Sequence, residues 1–216
     1  MPKLNMAPTK SNQLALRRQL ALASQGFNLL EQKREILVMG LMRLMDRVKA
    51  MQVEVEERTE KAYRALRFAL VRHGYHDTRN IASTIHYDHD IRITTHVTAG
   101  VRTPAITMTQ GEFTPQFSFA ATDSTIDKTM AEFLELSKTM ARLAEMESSV
   151  WLMARELKKT QRRVNALEHI FLPEYKETLH YISESLESKE LDTFFSMKMI
   201  KKKLDRAASD QPSPEK

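Results

Sequence analysis

The chain has 216 residues, 42% hydrophobic and 28% charged, with a formal net charge of +5. That balance excludes a disordered tail and a membrane bundle, and five Gly with seven Pro supply too little turn chemistry for a sandwich, a barrel or repeated βαβ units. Cys is absent, which removes disulfide scaffolds, thiolate zinc sites, iron–sulfur clusters and a cysteine nucleophile.

Near the N-terminus Arg17 and Arg18 interrupt the apolar run Leu14–Leu22, so no secretory core forms. The longest apolar stretch, Ile36–Met42 with Gly40 inside it, is far short of the roughly 20 residues that a membrane span needs. A cytoplasmic location without direct membrane insertion is expected. Between Thr9 and His73 there is no Pro and only Gly26 and Gly40, so nothing stops a helix over residues 9–73. Pro8 followed by Thr9 and Ser11 suits its start. Steps of three and four run through Leu16, Leu20, Ala23, Phe27, Leu30, Arg34, Leu37, Leu41, Leu44, Val48, Met51, Val55, Arg58, Ala62, Ala65 and Ala69. Only Arg34 and Arg58 break this seam, and a seam so long predicts a coiled coil.

Residues 74–122 read differently. Three of the five Gly and two of the seven Pro fall between Gly74 and Pro115. Ile91, Ile93 and Thr95 alternate with Arg92, Thr94 and His96, the period of a strand. Ile85–Tyr87 and Ile106–Met108 suggest further short strands, with turns at Thr103-Pro104 and Gly111. A small β element of two to four strands, leaning on the helix ends, is predicted.

A second helix is expected over residues 123–206, capped by Asp123 or Ser124. Its seam reads Phe133, Leu136, Met140, Leu143, Glu147, Val150, Ala154, Leu157, Gln161, Val164, Glu168, Phe171, Tyr175, Thr178 and Ile182, with Leu152, Met153 and Leu167 beside it. Pro173 removes a helical bond to His169 and crowds that carbonyl, so a bend is expected there. Residues 207–216 read as a disordered tail. Burying both stripes is simplest if the chain folds back at the insert. The fold class is therefore mainly α, a long antiparallel two-helix coiled-coil hairpin with a small β-containing insert at the tip. If paired residue numbers sum to about 199, Gly26 lies opposite Pro173 and lets the helices approach at the bend, or is simply a tolerated surface Gly. Heptads alone leave open a compact bundle or pairing with other chains.

No phosphate-cradling glycine loop, dinucleotide fingerprint or nucleophile elbow occurs, so no catalytic residue, metal or cofactor is assigned. His73, His76, His86, His89 and His96 cluster in sequence, but on a strand His86, Asp88, Asp90 and Arg92 share one face that reads as solvated. Charge is more informative. Lys3, Lys10, Arg17 and Arg18 precede the first acid, Glu31, and Lys198, Lys201, Lys202, Lys203 and Arg206 cluster near the far end. Arg155, Lys158, Lys159, Arg162 and Arg163 form a second basic belt at helical spacing. These sets suit an acidic partner surface or nucleic acid, and each is also compatible with a solvated flank. Aromatic residues interleave little with them, which argues against nucleic acid. From residues alone, a coiled-coil scaffold or a nucleic-acid-binding hairpin is the competing reading.

Several stretches also carry a family likeness. Pro8-Thr9-Lys10-Ser11-Asn12, Leu30-Glu31-Gln32-Lys33-Arg34, Gly100-Val101-Arg102-x-Pro104, Phe194-Phe195-Ser196-Met197-Lys198 and above all the run Lys159–Glu168 (KTQRRVNALE) followed by Pro173 resemble the D subunits of the V-type (A-type) rotary ATPases. The resemblance spans about residues 8–204, with Thr95–Ala99 and Thr114–Thr122 departing from it. It implies a non-catalytic central rotor shaft that couples ATP synthesis or hydrolysis to proton or sodium passage. It also implies partners: the F subunit alongside, the A and B subunits of the catalytic ring around the terminal helices, and a membrane-rotor coupling subunit at the insert end. On that basis Arg155, Lys158, Lys159, Arg162, Arg163, Lys201, Lys202 and Lys203 are candidate ring contacts, Pro173 and Gly26 mark the bend, and the chain sits peripheral to the membrane within the complex.

Overall fold

The structure, a computed structural model, describes residues 4–86, 89–110 and 122–209. In chain order its elements are α1 (Lys10–Thr84), a β-hairpin of β1 (His89–Thr98) and β2 (Val101–Gln110), α2 (Ser124–Ala166), a π-helical turn (Leu167–Phe171) and α3 (Leu172–Ser209). They divide into two compact units, one of Met1–Gln32 with Gln161–Lys216 and one of Lys33–Thr160.

Helix α1 begins at a side-chain cap. The Asn12 N–H donates to Thr9 Oγ1 at 3.2 Å and the Gln13 N–H to the Thr9 carbonyl at 3.0 Å, satisfying donors that the first turn would otherwise leave open. All sixteen seam positions from Leu16 to Ala69 are buried or half-buried, Arg34 and Arg58 included. The helical run breaks at Gly74, whose φ of 80° and ψ of 166° are non-helical and strain any residue carrying a Cβ. Beyond it, Thr78, Ile81 and Ile85 meet Ile126, Met130 and Phe133 around an apolar pocket of about 320 Å³.

In the unit of Lys33–Thr160, α1 and α2 run antiparallel. Lys33 reaches Glu156 (3.3 Å), Gln52 reaches Glu147 (3.1 Å), Arg58 reaches Glu135 (3.7 Å), and Tyr63 meets Phe133 edge to face. The close approach between backbone and side chain in this unit is at Gly40, where an added Cβ would lie 2.9 Å from Met153 Cε. Leu37, Met153 and Val101 form the buried cluster that fastens the hairpin to both helices.

The hairpin itself corrects two sequence expectations. Its two-residue turn is Ala99-Gly100, both with positive φ (52° and 76°), as the strand-compatible tight turn requires. Thr103-Pro104 is not a turn: both residues lie within β2, with Thr95 opposite Pro104. Counting from the turn, position 104 is a non-hydrogen-bonded one, so proline's missing N–H costs the ladder nothing. Nor do Ile85 and His86 form a strand; Tyr87 and the expected turn at Gly111 lie outside the described residues. One face of the hairpin packs inward through Val101 and Thr103, 8% and 1% exposed, while Ile91, Ile93 and Val97 on the other are 52–69% exposed.

Asp123 caps α2, its carbonyl accepting from the Ile126 N–H (3.1 Å) and its Oδ1 from the Thr125 N–H (2.9 Å). The seam of α2 departs from the one expected. Met140 and Glu147 are not buried, and Thr139, Ser149, Met153 and Thr160 are buried in place of their neighbours. The hydroxyls of Thr139 and Ser149 donate to the carbonyls of Glu135 and Glu145 in their own helix, each at 2.9 Å, so these polar residues enter the interior already satisfied. Glu168 and Phe171 are exposed.

In the other unit Leu16, Val164, Thr178 and Ile182 are fully buried. Thr178 Oγ1 donates to the Glu174 carbonyl (2.7 Å) and accepts from the Leu4 N–H (3.1 Å), and Lys10 pairs with Glu190 at 2.7 Å. The π-helical turn ends at Phe171, two residues before Pro173: the Leu172 N–H bonds to the Leu167 carbonyl, a five-residue spacing in place of the usual four.

Candidate interaction site

Where the insert leaves the helices, Asp123 gathers several donors. Arg72 Nε lies 2.6 Å from Oδ2 and His73 Nε2 lies 2.9 Å from Oδ1, to which the Thr125 hydroxyl also donates. The Thr125 hydroxyl bond first, then His73, hold the carboxyl well below the usual carboxylate range. The Thr125 N–H and the Arg72 charge add to this, and burial opposes it. This is a clamp between the end of the first helical run and the start of α2, set just before the break at Gly74. Two histidines of the insert region are thereby accounted for separately: His73 belongs to the clamp and His96 Nε2 lies 3.0 Å from Thr103 Oγ1. Among the described residues no three His, Asp or Glu side chains converge as a metal site, and none of the described helices is long and apolar enough to cross a membrane.

The basic candidates lie at or near the surface. In one unit Arg155, Lys158 and Lys159 flank the seam, and Lys159 comes no closer than 4.0 Å to Glu156, a contact of little energetic weight. In the other unit Arg162 and Arg163 are exposed at the end of α2, and Lys201, Lys202 and Lys203 near the end of α3. Pro173 is half-buried as the second residue of α3, with Leu172 between it and the π-helical turn. At Gly26 an added Cβ would meet nothing within 4 Å, so the close approach expected there is not present; the tight glycine is Gly40, in the other unit.

One apolar surface has no place in the seam reading. Around Lys198 and Lys201 on α3, Phe194, Phe195, Met197, Met199 and Ile200 are each 58–63% exposed. Apolar side chains this close together and this open are uncommon on the surface of an isolated soluble chain. The signal is readable as a departure from heptad spacing: from Leu191 to Leu204 the apolar residues occupy every side of the helix, which a two-stranded seam cannot bury.

The profile of the family described as the ATP synthase D subunit matches residues 12–202. Among curated relatives, the V-type ATP synthase D subunit of Thermotoga neapolitana is 35% identical over 94% of this chain and the whole of its own length. The A-type ATP synthase D subunit of Pyrococcus furiosus is 33% identical over 97% of this chain and likewise all of its own. The A-type ATP synthase D subunit of Methanosphaera stadtmanae is 32% identical, covering 92% and 94%.

Proposed function

Because the chain belongs to the ATP synthase D-subunit family, we infer that it is the non-catalytic central-stalk subunit of a V/A-type ATP synthase. In that role it couples nucleotide chemistry in a catalytic ring to ion passage across a membrane by rotation. The observation that carries this reading is the extent of the likeness, residues 12–202, which takes in both helical arms and the insert together.

The physical task of such a stalk is to make equivalent sites inequivalent. A single chain has no three-fold symmetry, so inside a three-fold ring it contacts the three interfaces differently. Only a difference in binding can shift their conformational populations. Turning the chain moves the favoured conformation to the next interface, and by reciprocity nucleotide events at the interfaces turn the chain. In this reading the A and B subunits surround the terminal helices, the F subunit binds alongside, and a coupling subunit meets the insert end. The whole is peripheral to the membrane on its cytoplasmic side.

Within that assignment the exposed end of α3, apolar residues interspersed with Lys201, Lys202 and Lys203, is the ring contact we favour. Arg155, Lys158 and Lys159, and Arg162 and Arg163, offer charge to acidic ring surfaces. Pro173 supplies the bend that gives the stalk its sidedness.

Affinity capture of the tagged chain from membranes tests the assignment. Ring subunits and a stoichiometric small stalk subunit should co-purify. Polynucleotide retained at low salt and lost steeply as salt rises would replace the stalk reading with nucleic-acid binding. Charge reversal at Arg162 and Arg163 to Glu should weaken assembly or coupled turnover while leaving the helical signal intact; unchanged assembly and turnover remove those two residues from the mechanism.

A further inference from the structure

Between α1, α2 and the inward face of the hairpin lies a cleft of about 370 Å³. Arg43 and Arg47, one helical turn apart on α1, line it, and the hairpin contributes His96, Thr98 and Thr103. Some arginines of the same unit are in ion pairs: Arg58 with Glu54, Arg64 with Glu60, Arg72 with Asp123, Arg92 with Asp90. Among the described residues Arg43 and Arg47 have no such ion pair, although Asp46 sits between them in sequence. The carboxylate in the lining, Glu145, is already committed, its Oε2 accepting the Ile106 N–H at 2.9 Å. It lowers the positive field of the two guanidinium groups without cancelling it. Thr103 and His96 hold each other at 3.0 Å, which fixes the hydroxyl-bearing wall, and Gly40 contributes no side chain to block the floor.

Two arginines lining one cleft beside hydroxyl-bearing residues suit a tetrahedral oxyanion, because a guanidinium fork donates two parallel, charge-assisted hydrogen bonds. A phosphate group at neutral pH carries about −1.5 to −2 charges, opposite in sign to the two arginines. The volume falls within the range of small-ligand pockets, and Met146 and Met153 in its lining offer an adaptable apolar floor for whatever the phosphate is attached to.

We propose that this cleft is a phosphate-binding site, taking free phosphate or the terminal phosphate of a phosphorylated small molecule. The test is isothermal titration of the full chain at low ionic strength with inorganic phosphate, pyrophosphate and ATP in turn. Inorganic phosphate should bind saturably at one site per chain, and R43A and R47A should each weaken it about tenfold or more, the effect of losing a charge-assisted bond. K49A, which removes an exposed charge from the same stretch of α1, should leave it unchanged. Circular dichroism of each variant should match the parent. ATP that displaces phosphate identifies a phosphorylated ligand; saturable phosphate binding that ATP does not displace identifies the free ion; both support the site. Non-saturating uptake, uptake reduced equally by K49A, or saturable binding that survives both arginine variants overturns it.

Discussion

Leu37 and Ile36 are neighbours of nearly equal volume on α1, but Leu37 is fully buried and Ile36 is 52% exposed. Truncating each to Ala therefore measures what the seam contributes. Leu37→Ala removes three carbons, ~2.4 kcal/mol of transfer free energy at ~0.8 kcal/mol per carbon, and leaves a cavity against Met153 and Val101. Because Met153 is flexible and Gly40 gives it room, the site can partly collapse, which places the total near the lower end of the observed range, about 3 kcal/mol. For a chain of this size that is a fall in Tm of roughly 6–12 °C. Ile36→Ala loses half-exposed surface and gains helix propensity, so it should cost under about 1 kcal/mol. Guanidinium titrations followed by far-UV circular dichroism, with unchanged slopes, give both values. Since Leu37 shares a buried cluster with Val101, amide exchange should also quicken at Thr98–Thr103 in Leu37→Ala alone. A loss below about 1 kcal/mol at Leu37, or equal losses at the two positions, would refute the seam as drawn.

Three further outcomes are expected. Asp123 is depressed below its ordinary value of 3.8, so the unfolded chain binds more protons than the folded one; its stabilisation is complete above about pH 5 and is lost progressively on acidification below that. Asp123→Asn should flatten the stability profile between about pH 5 and pH 2, and superimposable profiles would show that the clamp does not contribute. Thr178→Val keeps the buried shape but removes the acceptor for the Leu4 N–H, costing about 1 kcal/mol and exposing the Leu4 amide to exchange; unchanged protection at Leu4 would count against that tie. Pro173→Ala restores a backbone donor after the π-helical turn, and should raise exchange protection across residues 167–173 while lowering coupled turnover of the assembled complex. Turnover equal to the parent would remove the proline from the mechanism.

Much of this architecture is legible in the residues because long helices carry dense periodic information. Every position of the first seam, including Arg34 and Arg58, is at least half-buried, and Thr9 and Asp123 sit where capping chemistry places them. The second seam lies one residue away from the expected line at Thr139 and Thr160 because hydroxyl-bearing residues read as polar, and at Met153 it takes the neighbour of the expected Ala154. A threonine that bonds the carbonyl four residues back behaves as a small apolar group. The hairpin turn is displaced for a related reason: Pro104 reads as a turn signal until strand register shows its nitrogen facing away from the ladder. The cleft of Arg43 and Arg47 is beyond pattern reading altogether, since His96 and Thr103 meet α1 only after the hairpin folds back. The apolar end of α3 is visible as residues, and its meaning emerges only from the absence of a covering neighbour among those described.

The buried hydroxyls of Thr139 and Ser149 have a mechanical consequence. Each uses its hydrogen bond within its own helix, so at these points the two helices of that unit are joined by van der Waals contact and not by directional bonds. Such joints are held by close packing, which is dense and transmits strain, so a change of side-chain volume at Thr139 or Ser149 is felt directly by the facing helix.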